Sequence, residues 1–202
     1  MAEGSKRKTS CRGERGTVAA IRVSWIGSRQ APNSAGPAEV HAMQSFQQIL
    51  LLIGRLNYTW TNTESLLIHL IAGLARVDKE TAIVIFLTLN TTRARIDLVE
   101  RLAKLPKTPE PCRKDVLTLL ERLSQQSKLR NKYNHCIYSF DDKGDISHTQ
   151  LMRIFDGKDS IKYGKIEALD GAEVARISEC IEDIADVNRK IWGVVHANGF
   201  PQ

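Results

Sequence analysis

Between Ile49 and Leu74 the apolar side chains of Ile49, Leu50, Ile53, Leu56, Trp60, Leu67, Leu70, Ile71 and Leu74 recur every three or four positions. That spacing puts them on one stripe of an α-helix, and so long a stripe is stable only when partner helices cover it. The pattern predicts one long helix from Gln44 to about Arg76, or two joined near Thr59–Thr63. Lys79–Leu89, with Ala82, Ile83, Ile85, Phe86 and Leu89, is apolar almost all round and reads as a short buried helix. Asn90 or Thr91 is a suitable N-cap for a helix over Thr92–Leu105, which Pro106, Pro109 and Pro111 end. A further helix runs from about Pro111, whose ring suits a first turn, through Val116, Leu119, Leu120, Leu123 and Leu129 to His135 or Cys136.

Beyond Cys136 the period changes. Cys136–Phe140, Ile146–Phe155 and Ile161–Leu169 are short runs separated by turn signals at Asp141-Asp-Lys-Gly-Asp145 and Phe155-Asp-Gly-Lys158, the pattern of a small β-hairpin or three-stranded meander. Asp170, with Glu173 three residues on, opens a last helix to about His196, striped by Val174, Ile177, Ile181, Ile184, Val187, Ile191 and Val194. The expected fold class is therefore mainly α: an up-and-down helical bundle with a small β insertion before the last helix. Residues 1–42 show no such period and are dotted with Gly, Ser and Pro, so they read as a disordered basic arm before a helical domain over 43–198. A start codon assigned upstream of Met43 would produce the same appearance.

Charge is unevenly distributed over the 202 residues. The formal net +6 resolves into +4 over residues 1–42, zero over 43–92, +6 over 93–132 and −4 over 133–202. Cys11, Cys112, Cys136 and Cys180 form no Cys-x-x-Cys pair, which argues against a zinc knuckle or redox motif and for a reduced, cytoplasmic setting. No apolar run approaches the roughly 20 residues needed to span a bilayer, so no membrane association is expected. The basic N-terminus lacks the apolar core of a secretory signal, leaving an organellar transit peptide as the alternative.

One polar constellation stands out: Lys128-Leu-Arg130-Asn131-Lys132-Tyr133-Asn134-His135, at the end of a helix. On a continuous helix Asn131 and His135 lie about 40° apart around the axis, while Arg130 lies about 140° from His135 and converges only through its long side chain. A guanidinium, an amide and an imidazole together can act on a phosphodiester: Arg stabilises the charged oxygens, His moves a proton, and Asn orients one of them. Metal and cofactor are not required. Arg-Asn-x3-His is expected by chance on the order of 0.02 times in a chain of this composition. Arg93, Arg95, Arg101 and Lys104, with Lys128, Arg130 and Lys132, could form a phosphate-binding stripe.

The motif Arg130-Asn131-Lys-Tyr-Asn-His135, late in a helix of an all-α bundle, resembles that of the HEPN (higher eukaryotes and prokaryotes nucleotide-binding) superfamily. A long first helix with Trp60 and Glu64, the Arg95-Ile-Asp97 segment and the closing helix fit the same pattern across roughly residues 44–196. The resemblance implies a metal-independent endoribonuclease, or a non-catalytic RNA- or protein-binding relative, acting as a homodimer with two motifs facing one cleft. Arg130 and His135 would be its catalytic pair and Asn131 the supporting residue, with Lys128, Lys132, Arg93, Arg95 and Arg101 holding RNA. It also implies a toxin-antitoxin or defence setting with an antitoxin or regulatory partner. Toxins silenced by nucleotidyltransferase antitoxins carry Tyr two positions after the His; here Ile137 stands there and Tyr138 follows.

Blander readings compete. Arg130, Lys132 and His135 could simply complement a helix C-terminus, with Asn131 or His135 capping carbonyls. A Cys136–His135 dyad is disfavoured because adjacent helical positions diverge by about 100°. Trp60 reads as buried beside a solvated Glu64, His69 as a satisfied core histidine, and Asp141, Asp142 and Asp145 as a turn rather than a calcium loop. Glu179, Glu182, Asp183 and Asp186 read as the solvated face of the last helix.

Overall fold

In a computed structural model the backbone is described from Pro37 to Gln202 except residues 143–144, with side chains from Phe46 onward. Helix α1 (Pro37–Ser65) begins before the expected boundary near Met43, and the rest of the predicted basic arm lies outside the described residues. The stripe read as one helix or two is broken at Leu66, later than Thr59–Thr63, and α2 (Leu67–Ala75) follows. The hydroxyls of Thr63 and Ser65 donate to the carbonyls of Thr59 and Asn62, both at 2.8 Å, and such back-bonding competes with the helical ladder just ahead of the break.

Helix α2 ends with Arg76 in the left-handed region (φ 61°, ψ 46°), the one non-glycine with positive φ among the described residues. Helix α3 (Lys79–Thr88) is capped by Asp78, whose carboxylate accepts the Thr81 N–H at 2.8 Å. The expectation of a buried α3 is overturned: Ala82 and Phe86 are buried, but Val84 and Leu87 are 65% and 64% exposed. The helix packs mainly on α2, so one face is covered and the opposite face is open. Thr91 caps α4 (Thr92–Ala103) as expected, accepting the Ala94 N–H at 3.1 Å. After the proline-rich link comes α5 (Glu110–Asn134).

The β excursion is richer than a single hairpin. Strands β1 (Cys136–Phe140), β2 (Ile146–Leu151) and β5 (Ile166–Ala168) form an antiparallel sheet in the order β1-β2-β5. Between β2 and β5, β3 (Ile154–Asp156) and β4 (Ile161–Tyr163) make a separate hairpin. Gly164 makes this crossing feasible, since a Cβ there would lie 2.0 Å from the Leu151 carbonyl oxygen. The acidic segment is a turn: Asp141 and Asp145 bond through backbone N–H to carbonyl at 2.9 Å, and Asp141 Oδ1 accepts the Asp145 N–H at 3.0 Å.

Asp170 caps α6 (Gly171–Ala197) by accepting the Glu173 N–H at 2.9 Å. This helix packs on both α1 and α5, and its Ile177, Ile184, Val187 and Ile191 meet Leu56, Trp60, Leu120 and Leu123 in one core. The fold is mainly α with a small antiparallel strand region before the last helix. Among the described residues no helix is long and apolar enough to cross a membrane.

Candidate functional site

The Arg-Asn-x3-His segment occupies the last turns of α5 and its C-cap, where Arg130 and Asn131 bond to each other and His135 ends the helix. His135 leaves the helix at φ −129°, ψ 39°; its N–H donates to the carbonyls of Asn131 and Lys132 at 3.1 and 3.2 Å. Its own carbonyl accepts the Met152 N–H at 2.9 Å, tying the helix end to the β excursion. The imidazole is exposed and has no hydrogen-bond partner among the described residues. Asn131 is exposed too, and its Oδ1 accepts from Arg130 Nη1 at 3.0 Å. The half-buried Arg130 lies over the ring of Trp60 (5.5 Å to the centroid), and its Nε is buried without an acceptor.

Lys132 and Tyr133 turn the other way. Glu173 of α6, a buried carboxylate, accepts from Lys132 Nζ and from the Tyr133 hydroxyl, both at 2.5 Å, and from Arg176 at 2.7 Å. Lys132 also pairs with Glu167 of β5. Burial by itself would raise the Glu173 carboxyl, but hydrogen bonds from Lys132 and Tyr133, with the charges of Lys132 and Arg176, hold it below the ordinary range. Hydrogen bonds from Lys132 and Lys165 hold the Glu167 carboxyl down as well, at about 2. Burial and the neighbouring Glu173 push the Tyr133 phenol up, so it stays a donor. Tyr138 closes the corner by donating to the Tyr133 carbonyl at 2.9 Å.

The basic stripe is only partly free. Arg95 is spent internally: it pairs with Glu64 at 3.0 Å, donates to the carbonyls of Phe86 and Leu89, and stacks on Phe86. Glu64 is therefore not the solvated residue expected beside Trp60. It is 8% exposed and accepts from Trp60 Nε1 (3.2 Å), Thr92 Oγ1 (2.6 Å) and Arg95. Arg93 pairs with Asp97 at 2.8 Å on the surface, and Lys104 with Glu100 at 3.7 Å. Lys128 and Arg101 are exposed and in no ion pair among the described residues. Lys128 and Lys132 border an open groove of about 570 Å³ between α5 and α6; Arg130, Asn131 and His135 do not line it.

The expected solvated face of α6 is half true: Glu179 and Glu182 are exposed, but Asp186 pairs with Arg122 (2.9 Å) and Lys190 (2.7 Å), and Asp183 accepts from Gln126 (2.9 Å). Cys136 is buried, and burial pushes its thiol up, which disfavours a thiolate beside His135. His69 is buried with Nδ1 2.7 Å from the Pro201 carbonyl. No group of three or more His, Cys, Asp or Glu side chains among the described residues is placed to hold a metal ion. The residue that sequence reasoning missed is Glu173. Its spacing from Asp170 marked a helix start, but its partners Lys132 and Tyr133 belong to a different helix and leave no local trace.

A mainly-α domain with a polar corner where a helix meets a small sheet is as far as the fold and the site define a class. No family model, no curated protein and no solved structure matches the chain.

Proposed function

We propose that the chain is a metal-independent endoribonuclease of HEPN type, working as a homodimer with Arg130 and His135 as the catalytic pair and Asn131 in support. The observation that carries the reading is the end of α5. There a guanidinium oriented by Asn131 and Trp60 sits five residues before an exposed imidazole whose backbone is fixed on both sides. In this reading His135 takes the proton of a ribose 2′-hydroxyl and the 2′-oxygen attacks phosphorus. The bond to the 5′-oxygen breaks, and an imidazolium from the second copy protonates that leaving group. Arg130 stabilises the charge on the non-bridging oxygens. The products are a 2′,3′-cyclic phosphate and a 5′-hydroxyl.

A second reading is a non-catalytic RNA- or protein-binding module; the neutralisation of Arg93, Arg95 and Lys132 by carboxylates leaves fewer cations for phosphate and favours its protein-binding form. Incubating the purified chain with mixed RNA in EDTA separates the two. The enzyme reading expects cyclic-phosphate ends from the wild type and at least a hundredfold loss in His135→Ala and Arg130→Ala. Equal cleavage by wild type and both variants identifies a contaminant and removes the enzyme reading. RNA retention without cleavage selects the binding module. A cytoplasmic location and an antitoxin or other regulatory partner belong to the same proposal; co-purification of a stoichiometric protein from the native source tests the partner.

A further inference from the structure

At the opposite end of α5 lies a cavity of about 370 Å³, between the end of α2, the α4–α5 link and residues 198–201. Cys112 borders it, and the helical rise from Cys112 to Arg130 is about 27 Å, so it is remote from the motif. Its volume falls in the range of small-molecule sites. The pocket is open to solvent; Ala72, Leu74, Val77 and Phe200 form its apolar side, Thr108 and Asn198 add polar lining, and Arg76 and Lys107 bring two cations. No acidic side chain lines it among the described residues.

Two features show that the shape is built. The Phe200 ring stands where a side chain on residue 73 would be: a Cβ on Gly73 would lie 2.1 Å from it. The ring is fixed there by the Phe200 N–H donating to the Val195 carbonyl at 2.9 Å and by His69 Nδ1 on the Pro201 carbonyl. The second feature is Arg76 itself. A left-handed residue closing a helix is ordinarily Gly or Asn, yet this chain holds an arginine there, at the cavity rim. Lys107 is exposed, and its Nζ has a long 3.5 Å contact to the Ala75 carbonyl, a bond readily exchanged for a stronger one.

We infer that this cavity binds a small amphipathic anion, with its apolar body against Leu74, Val77 and Phe200 and one carboxylate or phosphate head paired to Arg76 and Lys107. The guanidinium offers two parallel N–H donors to either head group, and the ammonium adds a second charge. This site is independent of the Arg130–His135 reading and stands whether or not RNA is cleaved.

Calorimetric titration of the full chain with sodium octanoate, octyl phosphate, octanol and octylamine tests it. Saturable binding of both anions is expected, with octanol at least tenfold weaker and octylamine not saturating. The double variant Arg76→Gly, Lys107→Gln is expected to bind octanoate at least tenfold more weakly. Its melting temperature should be equal or higher, because glycine suits the left-handed position, so weaker binding cannot be attributed to misfolding. Equal affinity for octanol and octanoate, no saturable heat with either anion, or wild-type affinity in the double variant overturns the proposal. Flotation with phosphatidylglycerol vesicles that excess octanoate does not compete away overturns it too, since the anion would then belong to a bilayer.

Discussion

Glu173 shows how one side chain decides the state of a whole corner. It is buried, charged and surrounded by three donors, so removing a donor leaves a carboxylate under-compensated. Lys132→Met should cost about 2 kcal/mol and Tyr133→Phe about 1 kcal/mol, read from urea midpoints at pH 7. The pH dependence has a definite sign. Glu173 and Glu167 lie below the ordinary glutamate value, Glu167 at about 2, so their stabilisation is complete above the unfolded pKa of about 4.3. It is lost as pH falls from there towards 2. The wild-type midpoint should therefore hold from neutral pH to about 5 and then fall. Lys132→Met should fall less steeply, because without the lysine both carboxylates titrate nearer their unfolded value. An unchanged acid slope in that variant counts against the pairing.

Helix boundaries show what local sequence carries. Asp170 and Thr91 were legible as caps because a cap is decided by a side chain and a backbone N–H a few positions apart. The stripe of α6 was legible because its period repeats over most of the helix. The exposed face of α3 was not: apolarity on every side says that a helix could be buried, while exposure of Val84 and Leu87 depends on which neighbours arrive. Arg130 and Asn131 are neighbours in the chain and bond to each other, a local contact, whereas the withdrawal of Lys132 and Arg95 into ion pairs was not legible, since Glu173 and Glu64 are distant in sequence. The same limit hid the role of Gly73, an unremarkable glycine inside α2 until Phe200 packs on it. Gly73→Ala should displace the ring and cost about 1–3 kcal/mol despite the better helix propensity of alanine. A melting temperature equal to or above that of the wild type would show that the tail adjusts freely.

Across the whole molecule, exposed apolar side chains gather on the β excursion. Ile154 pairs with Tyr163 across the β3–β4 hairpin, and Ile161 lies two residues from Tyr163 on the same face; all three are exposed. The hairpin contributes nothing to the helical core. The triple variant Ile154→Thr, Ile161→Thr, Tyr163→Thr should keep the unfolding free energy within about 0.5 kcal/mol. It should also lower self-association at high concentration in sedimentation velocity. A large loss of stability would mean that the hairpin supports the body after all.

The charge pattern is also resolved only at this scale. The +6 of residues 93–132 and the −4 of residues 133–202 face each other where α5 packs on α6, through Arg122–Asp186 and Lys132–Glu173. Arg122 and Lys132 are neutralised in this way, while Arg95 pairs with Glu64 and Arg93 and Lys104 pair with acids of their own helix. Among the stripe residues the cations left without a carboxylate are Arg101, Lys128 and Arg130. Three phosphate contacts on single-stranded RNA correspond to a slope of log K against log salt of about −2 per chain. A chain truncated before Pro37, which removes the basic N-terminal residues, should show that shallow slope in fluorescence anisotropy with an unstructured oligonucleotide. Lys128→Ala should reduce its magnitude by about 0.7. A slope near −3.5, that of about five contacts, would require the ion pairs of Arg95 and Lys132 to open on binding. In that case Glu64→Gln and Glu173→Gln should both tighten RNA, whereas with the pairs closed neither changes affinity.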